Sequence, residues 1–93
     1  MKISEIIKNS KALIKPVGGF NDAEITSVEY DSRKGSEGSL FAAVEGFESD
    51  GHSFIEGAVG NGCRCVLINE SRLAEFAPLA DRGVVILVSG NTR

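Results

Sequence analysis

The sequence predicts an α/β domain: a small, mixed, mainly parallel sheet of about four to five strands flanked by helices. Three observations carry this. Apolar runs of strand length recur at "SLFAAV", "CRCVLI" and "GVVILV". Segments with helical spacing separate them, giving β-α-β-α-β from residue 39 to 88. Right-handed crossovers make three such strands parallel neighbours, and their nearly continuous apolar character suits strands covered on both faces.

Along the chain, Ile3, Ile6, Ile7, Leu13 and Ile14 form one helical stripe, with Ser4 in position to cap it. "KPVGGFND" breaks that helix through Pro16 and the Gly18-Gly19 pair. "AEITSVEY" is rich in β-branched residues and reads as a strand over 24–30, with Ile25, Val28 and Tyr30 in imperfect alternation. The next strand, 39–44, follows after a connection too short for a standard parallel crossover, so these two are expected to be antiparallel neighbours. Ser53-x-x-Glu56 has the form of a capping box, Phe54, Ile55, Ala58 and Val59 make a buried stripe, and Gly62 closes the helix. "SRLAEFAPLA" is a short helix carrying Leu73 and Phe76, with Pro78 near its end.

Ninety-three residues form a single domain with a limited core. A hydrophobic share of 42% with 25% charged residues describes a globular chain. The net charge of -3 gives no basic face for nucleic acid. No apolar run reaches the roughly 18 residues that span a bilayer. The start, "MKISEIIKNSKALIK", lacks a continuous apolar core of the secretory kind, which points to the cytoplasm. Cys63 and Cys65 stand two apart in an expected strand, on one face, with poor geometry for a mutual disulfide. His52 is the only histidine, so a metal site lacks ligands and the cysteines read as small core fillers.

Two polar segments are candidates for a site. Asp31, Ser32 and Arg33 follow a strand and offer an acceptor, a hydroxyl and a cation. Turn chemistry explains the same trio through local backbone bonds, and Arg33 can pair with Asp31 or Asp50. "GFESDGH", residues 46–52, joins a strand to a helix, where ligands gather beyond the carboxyl ends of strands in open α/β sheets. The helix start there also offers free amides to an anion. Yet the loop carries Glu48 and Asp50 and neither glycine-rich phosphate motif, so it suits hydroxyls, amides or the N–H edge of a base better than phosphate. No catalytic constellation is present: His52 has no orienting partner in the sequence.

Taken in register, these blocks resemble the amino-terminal domain of the Mur ligases, closest to the members that add the third residue of the peptidoglycan stem peptide. The matching positions are Ile25, Tyr30 to Arg33, Gly38, Leu40 to Ala43, Gly46, Asp50 to His52, Phe54, Ile55, Ala58 and Gly62-Cys63. Departures stand at Gly35 and Glu37, where the family often has valine and proline, and at Ser39, where it favours aspartate. Cys63 and Cys65 replace residues that are usually alanine. The resemblance implies that the chain, 1–93, is a single UDP-sugar-binding domain that anchors the UDP end of UDP-N-acetylmuramoyl-dipeptide.

Carried over by position, Ser32, Tyr30, Phe47, Glu48 and Ser49 face the uridine portion. Asp31, Arg33, Gly46, Asp50, Gly51 and His52 support that edge. Tyr30 and Phe47 can flank a uracil ring or pack in the core. The resemblance assigns ATP, magnesium and amide formation to further domains of a longer polypeptide. This chain would bind no cofactor, hold no metal and be inactive alone, with those domains as its partners. "GNTR" resembles the lead-in to the ATP-binding domain. The related ligase that adds the terminal D-Ala-D-Ala dipeptide, and a freestanding interaction module that kept the fold, are the alternatives.

Overall fold

The computed structural model describes residues 1–10, 14–17, 22, 24–29, 38–43 and 54–89. Its elements are α1 (Ile3–Asn9), β1 (Ile14–Pro16), β2 (Ser27–Glu29), β3 (Ser39–Ala42), α2 (Ile55–Gly60), β4 (Cys65–Asn69), α3 (Leu73–Phe76) and β5 (Val85–Ser89). 3-10 turns at Glu70–Arg72 and Ala77–Arg82 flank α3. The five strands form one sheet in the order β1-β5-β4-β3-β2. The pairs β2·β3, β3·β4 and β4·β5 are parallel, and β1 lies antiparallel to β5. The expected mixed, mainly parallel α/β sheet is what the chain forms.

The strand register builds the core. Leu40, Cys65 and Val85 share one row across β3, β4 and β5, and Phe41, Val66 and Ile86 share the next. Successive strand residues point to opposite faces. Phe41, Val66, Ile68, Ile86 and Val88 therefore meet Ile55, Ala58, Val59 and Leu79 on one side. Leu40, Ala42, Cys65 and Leu87 meet Ile3 and Ile25 on the other, with Ile6 and Ile7 of α1 packed over them. The layers are α1, the sheet, and then α2 with the α3 region.

Glycine closes α2 by a specific mechanism. Gly62 has φ 103, the left-handed region that costs a β-carbon residue about 1–2 kcal/mol. In that conformation the Gly62 N–H donates to Val59 O at 2.9 Å and the Cys63 N–H to Ala58 O at 3.1 Å, satisfying two carbonyls of the last turn.

Several expectations are corrected. β2 and β3 are parallel, not antiparallel. β2 has only three residues, so the connection must retrace about 10 Å along the strand and about 5 Å sideways. Nine residues, 30–38, reach up to about 30 Å when extended and need no crossover helix. Ile14 belongs to β1 rather than to the first helix, because Ser10 ends it: its Oγ donates to Ile7 O and accepts the Ile14 N–H. Ser4 is not the N-cap. Lys2 holds that place, its N–H donating to Glu5 at 3.1 Å, while Ser4 lies in the first turn. Phe54 precedes α2 and is 47% exposed, so it is not part of the buried stripe.

Val28 is 50% exposed on an edge strand. The expected helix over 71–80 is instead a chain of short turns around α3, with Pro78 at the start of the second 3-10 turn. Cys63 and Cys65 face opposite sides of the sheet, because the strand begins only at Cys65 and Cys63 still belongs to the closure of α2. Both are free and buried, so they do fill the core, one on each face. Leu13, Val44 and Ser53 lie outside the described residues.

Candidate functional site

The carboxyl ends of four strands mark one edge of the sheet. β2 stops at Glu29, paired with Phe41 of β3, and the β3 ladder runs on to Ala43, whose N–H donates to Leu67 O at 2.9 Å. β4 and β5 end together at Asn69 and Ser89, which are register partners. Asn69 also caps the 3-10 turn that follows, its Oδ1 accepting from the Ser71 N–H and hydroxyl at 3.0 Å each.

All eleven residues named from the sequence lie outside the described residues: Tyr30, Asp31, Ser32, Arg33, Gly46, Phe47, Glu48, Ser49, Asp50, Gly51 and His52. What the fold fixes is their attachment. Residue 30 follows Glu29 and residue 44 follows Ala43, at the same edge of two adjacent parallel strands about 5 Å apart. The sequence had put these two segments on antiparallel strands, where their starting points would lie at opposite edges. The parallel arrangement brings their roots together.

Contacts that no sequence pattern announces lie where the chain enters β3. The Thr26 N–H and Oγ1 both donate to Gly38 O, at 2.7 and 3.1 Å. A β-carbon on Gly38 would lie 2.6 Å from Thr26 Oγ1, so the close approach requires glycine. Ser39, next along, is fully buried at the base of β3, where Cys63 Sγ donates to its carbonyl at 3.3 Å. Parallel pairing of 27 with 39 is the missing signal, and no local pattern encodes it.

The α2 N-terminus offers little to an anion. The helix has six residues, and Glu56 in its first turn is bonded to Arg82 at 3.0 Å. On the other face, a groove of about 610 Å³ runs beneath α1, lined by side chains that include Ile6, Ser10, Ile14, Ile25 and Val28. Elsewhere the electrostatics are structural. The Ser4 hydroxyl and N–H donate to Asp22 at 2.7 and 2.8 Å and hold its carboxyl below the ordinary range. Burial, with the neighbouring Cys63, pushes the Cys65 thiol up to about 12. Among the described residues no group of three or more His, Cys, Asp or Glu is placed to hold a metal ion. Nor is any described helix long and apolar enough to cross a membrane.

The chain is of the open α/β class, in which ligands tend to gather beyond the carboxyl ends of the strands, where these two polar segments are rooted. Comparison with known proteins narrows it. The profile of the Mur ligase family, catalytic domain, matches residues 24–91, and the chain belongs to this family. It is 38% identical over 85 residues to the UDP-N-acetylmuramoyl-L-alanyl-D-glutamate--2,6-diaminopimelate ligase of Cytophaga hutchinsonii, covering 91% of this chain and 17% of that one. The enzyme of the same name from Bacteroides fragilis is 42% identical over 79 residues, 81% of this chain and 16% of its own. Among solved structures, the UDP-N-acetylmuramoylalanyl-D-glutamyl-2,6-diaminopimelate--D-alanyl-D-alanyl ligase of Acinetobacter baumannii superposes with a TM-score of 0.62 at 28% identity, over 80% of this chain and 15% of that one. The chain thus spans about a sixth of the length of the curated relatives it matches.

Proposed function

We propose that this chain is the substrate-anchoring domain of a cytoplasmic, ATP-dependent ligase of peptidoglycan synthesis. It holds the UDP end of UDP-N-acetylmuramoyl-L-Ala-D-Glu while the third stem-peptide residue is added elsewhere in the longer polypeptide. The observation that carries this reading is the common root of the two segments, after Glu29 and Ala43 at one edge of β2 and β3. Ser32, with Tyr30, Phe47, Glu48 and Ser49, supplies the uridine contacts, and Asp31, Arg33, Gly46, Asp50, Gly51 and His52 shape the edge. Holding one end of a long substrate contributes positioning rather than bond-making, because it converts a chance encounter at the distant carboxylate into an oriented one.

The residues of this chain do not fit ATP with magnesium: the sequence has no G-x-x-G-K-[ST] loop, and the described residues present no acidic cluster. The amide-forming step is therefore assigned to other parts of the ligase, and the isolated chain is expected to be inactive. The sequence relatives are named for 2,6-diaminopimelate, which makes it the first amino acid to assay in the full-length protein. A second reading is favoured by the structural relatives, whose name specifies D-alanyl-D-alanyl addition. Activity of the full-length ligase with a single amino acid against a dipeptide separates the two.

The anchoring claim is tested by titrating the 93-residue chain with UDP-N-acetylmuramoyl-dipeptide and following backbone amide resonances. Saturable shifts at Ser32 and across 46–51 are expected. If those amides stay unmoved at millimolar ligand, the anchoring reading fails.

A further inference from the structure

We draw no further inference here: the strongest candidate, the apolar groove beneath α1 whose lining includes Ile6, Ile14, Ile25 and Val28, carries none because nothing in the structure shows what covers it.

Discussion

Cys65 shows how far a single residue's chemistry is set by its surroundings. It is 2% exposed beneath α1, its thiol held up to about 12 by burial. The unfolded chain releases that proton near 9.0, whereas the folded chain keeps it until about 12. Over that window the unfolded state binds fewer protons, so stability should fall as pH rises from 9.0 to about 12, and denaturant midpoints measured across it should decline. Cys65→Ser should flatten that decline. Asp22 works in the opposite sense. Its carboxyl is lowered by the Ser4 bonds, so its contribution is complete above 3.8 and is lost as pH falls through the lower folded value. A side-chain NMR titration should place the Asp22 midpoint below 3.8 in the wild type and nearer 3.8 in Ser4→Ala. At Gly38, an added methyl must displace the Thr26 hydroxyl, so Gly38→Ala should destabilise by about 1 kcal/mol, with part of the loss recovered in the Gly38→Ala, Thr26→Ala double variant.

Elements were legible in proportion to how local their causes are. β3, β4 and β5, with α2 and the α3 region between them, follow from apolar runs and helical spacing that any short window contains. The termination of α2 at Gly62 was equally local, and Gly62→Ala should cost about 1–2 kcal/mol in chemical denaturation because the left-handed φ of 103 remains necessary. The direction of β2 was not legible, since it depends on how far the chain must travel back, and a three-residue strand asks for little. Cys63 and Cys65 illustrate the same limit: period-two reasoning holds inside a strand, and Cys63 stands outside it. The candidate site was legible as chemistry in Tyr30–Arg33 and 46–52. Its assembly was not, because adjacency of the two roots follows from the parallel pairing of β2 with β3. The Thr26–Gly38 hydrogen bonds belong to that same pairing, and they too were missed.

Across the whole molecule, the sheet divides the core into two sides. Among the described residues, the side facing α2 holds twelve buried residues and the side facing α1 holds six. The larger side should therefore dominate stability: Ile68→Ala, at a fully buried position, is expected to cost about 2–5 kcal/mol, enough to unfold a domain of this size. Loss of the cooperative thermal transition in that variant would be the sign.

β1 has a further consequence. It is three residues long and ends in Pro16, yet it lies along the whole upper half of β5 through the Ile14–Ser89 and Pro16–Leu87 pairs, and Val17 N–H extends the contact to Ile86 O. Without it, β5, a five-residue apolar strand, would present a bare row of amides and carbonyls to any other copy that met it. A segment so short can do this because proline, lacking an N–H, leaves its own outer side a poor template for a sixth strand. Val17→Pro, which removes the N–H bonded to Ile86 O while leaving α1 in place, should loosen this cover and produce chains that associate edge to edge, visible as a concentration-dependent rise in light scattering. A three-residue strand thus covers the edge that β5 would otherwise leave open.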